Sequence, residues 1–391
     1  MASEQHILCE VRGCAGLITL NRAKALNALS LPMVRDITAA LLEWGNNPAI
    51  KLVAIRGMGK NPAHTSDPSA PAFVPFGSFC AGGDIRFFHQ AALAGDPALE
   101  DFFTEEYALN YLIHTYPKPY IAFMDGIVMG GGMGISQGAS HRIVTERTKM
   151  AMPETGIGLF PDVGGGYFLS RCPGRVGEYL ALTGQMIGGE EAVSVGLADA
   201  HVASTHLAAL WDALGTLGNV DPAQLDQDLS KIVATKIIAN YSISTSEKLP
   251  KIFQNLAVID EVFAKPDIAT ILASLDSSKS DWATQTATTL RSRSPLMLHI
   301  VLELIRRARS MSLADDLRLE RDLVRHCFHT THLQRAGATS ETVEGIRALA
   351  VDKDHAPKWS PARTEDVTPE MVQPFFQSPW PVSAHPLRQL D

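Results

Sequence analysis

Three glycine clusters constrain this chain more than any other feature. They lie in Phe79-Cys80-Ala81-Gly82-Gly83-Asp84, in Gly126-Ile127-Val128-Met129-Gly130-Gly131-Gly132-Met133-Gly134 and in Gly164-Gly165-Gly166. None is a nucleotide loop: the GxGxxG register fails around 130–138 and no GxxxxGK[ST] occurs. Glycine lets backbone N–H groups approach a ligand with no side chain in the way. Two such amides aimed at one point make an oxyanion hole, and the amides of Gly83 and Gly131 are the candidates. Tight turns and close packing are the other reading of the same glycines, and composition alone leaves both open.

The surrounding pattern is mixed α/β. Ile7 to Val11 and Leu17 to Leu20 read as a hairpin turning at Arg12-Gly13. Ser30 reads as an N-cap with Pro32 in the first turn, and Val34, Ile37, Thr38, Leu41 and Leu42 recur at helical spacing up to Trp44. Leu52 to Ile55 is a buried strand, which completes a β-β-α-β start. Residues 58–77, rich in Gly, Pro, Asn, Ser and Asp, read as a long loop. Pro97 to His114 is a helix, Pro119 to Met124 a strand, and Met152-Pro153-Glu154 opens a loop that ends at the third glycine cluster. Helices run to about residue 200. A polar, acidic stretch over 216–245 reads as a linker, and helices at Pro295–Arg309 and Leu313–Phe328 follow. The last 35 residues hold seven prolines, which forbid helix there, while Trp359, Phe375, Phe376 and Trp380 argue that this tail docks on the body. The division expected is 1–205 and a helical region 206–391.

Composition excludes several classes. With 46% hydrophobic and 19% charged residues the chain is no disordered polymer. A net charge of −8 without a basic block argues against nucleic acid as main partner. The longest apolar stretch, Tyr120 to Ile135, is short, glycine-rich and broken by Asp125, so no membrane span is expected. Five scattered cysteines lack CxxC spacing, which fits a reducing compartment with neither a disulfide framework nor a zinc ribbon. The N-terminal Met-Ala-Ser-Glu-Gln-His reads as neither signal nor transit peptide, and a cytoplasmic location is expected. Self-association into a homo-oligomer stays open.

Some residues carry chemistry on their own. Glu154 follows Pro153, which fixes its own φ and favours an extended backbone before it. Held in an apolar, glycine-lined loop such an acid would have a raised pKa and could work as a base near neutrality; a solvent-exposed loop acid is the other reading of the same residue. Phe102, Glu106, Leu109 and Ile113 share one helical stripe, and a carboxylate on an apolar face must be paired or functional. Gly134-Ile135-Ser136-Gln137-Gly138 matches the GxSxG elbow, but that motif needs a strand directly before the serine, whereas Gly130 to Gly134 precedes it and a helix is expected after it. His326, His329 and His332 recur every three residues; with only Cys327 beside them, a packed or solvated helix end is favoured over a metal site.

The order strand, FCAGGD, helix, strand, DGIVMGGGMG, helix and MPE resembles the crotonase (enoyl-CoA hydratase/isomerase) superfamily over residues 6–205. That resemblance implies an α/β spiral of ββα repeats, here with a mainly helical C-terminal extension, and acyl-CoA thioesters as ligands. It also implies that Gly83 and Gly131 supply the oxyanion amides. Within the superfamily, the seventeen-residue run from Met152 to Phe168 resembles the 3-hydroxyisobutyryl-CoA hydrolases. So do Glu105-Glu106-Tyr107, Glu344 to Ala348, Asp352-Lys353-Asp354 and Pro357-Lys358-Trp359. This implies thioester hydrolysis in valine breakdown, with Glu106, Gly131, Glu154 and Asp162 on substrate-contacting positions and Glu154 and Asp162 catalytic. Asp162 either accepts from the substrate's 3-hydroxyl or caps the glycine turn. By the same analogy the CoA end lies near Lys24, Ala25, Leu26, Ala81 and Asp84. Hydratases of the superfamily carry a second Glu at the position held here by Gly134, so hydration is disfavoured, while an isomerase using Glu154 or Asp162 stays open. No metal and no redox cofactor is expected, since thiolate already leaves readily.

Overall fold

A computed structural model describes residues 5–59, 75–216, 238–239 and 250–391. The expected loop 58–77 and linker 216–245 lie for the most part outside the described residues. The chain divides into two compact units that cut across the 1–205 and 206–391 partition: one holds 1–83, 112–150 and 187–250, the other 84–111, 151–186 and 251–391.

The first unit is built on a six-stranded sheet. Its strands are β1 (Ile7–Arg12), β2 (Ala15–Leu20), β3 (Leu52–Gly57), β4 (Tyr120–Met124), β6 (His141–Val144) and β8 (Ala200–His201), in that spatial order. β1 and β2 form an antiparallel hairpin with Ile7 opposite Leu20, and Gly13 turns it at φ 59°. From β2 onward every neighbour is parallel. All residues of β2 and β4 are buried, which is why these strands read as mainly apolar runs, broken in β2 only by Thr19, and not as alternating ones. Leu17, Leu52, Ala54, Ile121, Phe123 and Trp211 form the core of this unit. The helix Leu31–Asn46 buries Leu31, Met33, Val34, Ile37, Leu41 and Trp44. Leu42, expected on that face, is 52% exposed instead: it sits one step past Leu41, about 100° round the helix.

The chain alternates between this sheet and a second, two-stranded one. β4 enters the main sheet, β5 (Ile127–Met129) enters the small one, and the helix Gly131–Gln137 follows. β6 and β7 (Lys149–Ala151) repeat the move before the helix Gly165–Ser170. β3 begins the series: Cys80 bridges to Val128 of β5 before the helix Ile85–Ala94. These are the ββα repeats of the crotonase-like spiral.

The second unit is mainly helical. Ser294 caps the helix Pro295–Ala308 by accepting from the Met297 N–H, and Ser312 caps Leu313–Phe328 by accepting from Asp315. The proline-rich tail packs here: Phe375 is wholly buried against the rings of His326 and His332 at 5.6 and 5.4 Å. The expectation of no helix in the tail is corrected by one α-helical turn, Pro369–Val372, and by 3-10 turns at Thr364–Asp366, Gln373–Phe376 and Val382–Ala384. Pro369 occupies the first position of the α-helical turn, where the missing N–H costs nothing. Among the described residues no helix is long and apolar enough to cross a membrane.

Candidate active site

In the first unit two turns are stitched together by backbone hydrogen bonds. The Cys80 N–H donates to the Ile127 carbonyl, and the Cys80 carbonyl accepts from Met129, both at 3.0 Å. A side chain at Gly132 would collide with the Cys80 carbonyl, so glycine is required for this approach. Gly82 (φ 100°) and Gly130 (φ 46°) occupy backbone conformations that favour glycine, and a Cβ on Gly82 would stand 3.7 Å from the Gly131 nitrogen. Gly131 opens its helix, a position whose amide has no intrahelical acceptor. Among the described residues no backbone carbonyl accepts from the N–H of Gly83 or Gly131.

The segment Lys24-Ala25-Leu26 reaches the same neighbourhood. The 3-10 turn Ala23–Ala25 ends at Leu26, and the Leu26 carbonyl accepts from Ala81 at 3.1 Å. Asp84, grouped with them by analogy, works structurally. Its carboxylate accepts from the Phe87 N–H and caps the helix Ile85–Ala94.

In the second unit the structure brings together Glu106, Glu154 and Asp162, respectively 2%, 6% and 5% exposed. Glu106 and Tyr107 come from the helix Ala98–His114, Glu154 from the first residue of the turn Glu154–Ile157, and Asp162 from the loop beyond it. The Tyr107 hydroxyl donates to Asp162 Oδ2 at 2.8 Å. Tyr107 thus takes one oxygen of Asp162; the glycine turn is closed by backbone, the Gly165 N–H donating to the Asp162 carbonyl.

Burial is the first cause of every shift in this cluster. It pushes Glu154 well above the usual carboxylate range, helped by the charge of Asp162. It does the same to Glu106, with Asp162 and then Glu154 adding repulsion. Asp162 rises to about 7, held back by the Tyr107 hydrogen bond. Glu106 Oε1 and Glu154 Oε2 have no hydrogen-bond partner among the described residues. Buried polar atoms without partners are rare and costly.

The model of the family described as Enoyl-CoA hydratase/isomerase matches residues 15–376. The chain belongs to the enoyl-CoA hydratase/isomerase family. Within the family it is 38% identical over 376 residues to the 3-hydroxyisobutyryl-CoA hydrolase, mitochondrial, of Rattus norvegicus, covering 95% of this chain and 89% of that one. It is 36% identical to 3-hydroxyisobutyryl-CoA hydrolase 1 of Arabidopsis thaliana, covering 96% and 93%. Among solved structures, a carnitinyl-CoA dehydratase from Mycobacterium thermoresistibile superposes with a TM-score of 0.83 at 33% identity, over 99% of this chain and 100% of that one. An enoyl-CoA hydratase from Rhodobacter sphaeroides 2.4.1 gives 0.80 at 34% identity, over 96% and 98%.

Two other motifs have structural roles. Ser136 is wholly buried and its hydroxyl donates back to the Gly132 carbonyl at 2.8 Å. The helix runs before it, Gly131–Gln137, and not after it as expected, so Ser136 lies in a last turn and not at an exposed elbow. His326 and His332 hydrogen-bond the carbonyls of Gln377 and Met371 and hold the tail. Two polar residues escaped sequence reasoning. Tyr107 was visible only as a neighbour of Glu106. Asn110, one turn further along the same stripe, is 3% exposed, and neither of its amide atoms has a partner among the described residues. Its spacing of four from Glu106 was the available signal.

Proposed function

We propose that this chain hydrolyses short 3-hydroxyacyl-CoA thioesters, foremost 3-hydroxyisobutyryl-CoA, releasing the hydroxy acid and CoA. The acyl group follows the names of the full-length relatives. The reaction type is carried by one observation: Gly134 lies buried in the helix Gly131–Gln137, where a hydratase of the family carries its second acid. Adding water across a double bond needs an acid and a base; splitting a thioester needs a base or nucleophile and a place for the oxyanion.

In this reading the amides of Gly83 and Gly131 receive the thioester oxygen. Ionised Glu154 adds to the carbonyl carbon, the C–S bond breaks, and CoA leaves as thiolate. Water then opens the mixed anhydride, which frees the acid and restores Glu154. In the other route Glu154 takes a proton from water, hydroxide adds to the carbonyl carbon, and the proton passes to the departing thiolate. Hydroxylamine separates the routes, since only an acyl-glutamate yields a hydroxamate on Glu154. Asp162 and Glu106 orient the 3-hydroxyacyl group, and CoA runs along Lys24, Ala25, Leu26, Ala81 and Asp84. No step calls on a metal or redox cofactor. A cytoplasmic location is part of this reading; the rat relative's name reads mitochondrial, and cell fractionation decides between them.

The names of the two solved structures favour a second reading, reversible hydration. Thiol release from CoA esters with and without a 3-hydroxyl tests both. Release favouring the 3-hydroxy esters supports hydrolysis. Gain or loss of the enoyl absorbance with no thiol released overturns it.

A further inference from the structure

The loop that carries Asp162 is wound against the preference of its own residues. Val163 stands at φ 58°, in the left-handed region where a β-branched side chain crowds the backbone, and Gly164 follows at φ 87°. Val163 is nevertheless buried, so its side chain is packed and not free to relax. A turn of this kind persists only where its surroundings over-determine it.

The helix Leu313–Phe328 supplies that constraint. Glu320 accepts from the Gly164 N–H through Oε2 at 2.7 Å and from the Gly166 N–H through Oε1 at 3.0 Å. One helical turn earlier, Asp316 Oδ2 accepts from the Tyr167 N–H at 2.7 Å. A side chain at Gly166 would run into the Asp316 carboxylate, so this glycine makes room for the pair. Both acids are wholly buried. Burial lifts Asp316 to about 6, with hydrogen bonds with Glu320 and from the Tyr167 N–H, and then Arg171, pulling it back; burial also lifts Glu320 well above the usual carboxylate range, with Asp316 and then Asp162 adding repulsion. Two carboxyls at i and i+4 are thus kept in the interior at a cost, and both serve the amides of one loop.

We infer that Glu320 and Asp316 are positioning residues for Asp162, holding the strained Val163-Gly164 turn so that the Asp162 carboxylate stays on the Tyr107 hydroxyl. Neither acts on substrate; both act through the loop. The inference rests on the hydrolase reading for its kinetic consequence and on the loop geometry for its cause.

The test joins an activity readout to one that needs no activity. In Glu320→Gln, kcat for thiol release falls at least tenfold while KM for the CoA ester stays within about threefold. Amide exchange at Gly164, Gly166 and Tyr167 speeds up at least tenfold. Val163→Gly placed in the Glu320→Gln background brings kcat back to within threefold of Val163→Gly alone, because glycine takes φ 58° without strain. A purely structural role predicts no such recovery. Asp316→Asn, which keeps an acceptor for Tyr167, gives a smaller loss in the same direction and stands in if Glu320→Gln fails to fold. Unchanged kcat in both variants, or a Glu320→Gln loss that Val163→Gly does not relieve, overturns the inference. Wild-type protein that releases no thiol overturns the hydrolase reading instead, and the exchange rates still report whether the clamp holds.

Discussion

At the turns around Gly82-Gly83 and Gly130-Gly131-Gly132 the usable groups are backbone amides, and the sequence works by keeping side chains away. Around Glu106, Glu154 and Asp162 the usable groups are side chains, and the fold works by keeping water away. The first arrangement is cheap. The Gly131 amide opens a helix and lacks an intrahelical acceptor in any case, and glycine costs only about 0.5–1 kcal/mol in lost chain entropy. The second is expensive, because burial raises all three carboxyl pKa values and leaves oxygens of Glu106 and Glu154 without partners. The turns therefore depend on position alone, whereas the acids depend on position and on pH.

The largest effect expected is at Glu154. Glu154→Gln keeps shape and removes both nucleophile and base, so kcat for thiol release should fall about 10³-fold with the CoA ester still bound. Turnover near wild type would take Glu154 out of the reaction. Gly132→Ala should come next. Its methyl group meets the Cys80 carbonyl and pushes the Gly131 amide out of line. The loss expected is about 10²-fold in kcat with KM little changed, the size found for removing one oxyanion donor. A Gly132→Ala loss larger than that of Glu154→Gln would reverse the comparison and make the amides the dominant element.

The same contrast explains what the sequence disclosed. Glycine clusters are legible because few needs other than close backbone approach justify three adjacent glycines, and Gly132 against Cys80 is such a need. The Ile7–Arg12 and Ala15–Leu20 hairpin and the helix Ala98–His114 were legible from period and turn chemistry. The start of the ββα series was not, since Cys80 joins the small sheet by a single bridge and no strand pattern marks it. Buried polar residues were read unevenly. Glu106 stood out on an apolar stripe. Asp316 and Glu320 did not, because Leu-Ala-Asp-Asp-Leu-Arg-Leu-Glu-Arg-Asp reads as a solvated charged helix until the 164–167 amides are seen against it. Leu42 failed the other way, an apolar residue at an adjacent position that faces solvent.

The smallest effect is the one that best separates the two regions. Asp162 has a folded-state pKa of about 7 against an ordinary 3.8. Between roughly pH 4 and 7 the native state keeps a proton that the unfolded chain has released, so stability falls as pH rises through that window. Asp162→Asn removes this ionisation, keeps an acceptor for Tyr107, and takes away a charge that helps to lift Glu106 and Glu154. At pH 8 the variant should melt about 3–5 °C above wild type; near pH 5 the gap should shrink toward zero. A Cβ at Gly132 meets Cys80 and, among its nearest contacts, no carboxyl, so Gly132→Ala should shift Tm by the same amount at both pH values. Thermal melts of the two variants at pH 5 and pH 8 decide the matter. Equal shifts for Asp162→Asn at both pH values would mean that its carboxyl is not held against ionisation, and that the acid cluster, like the glycine turns, is a matter of geometry alone.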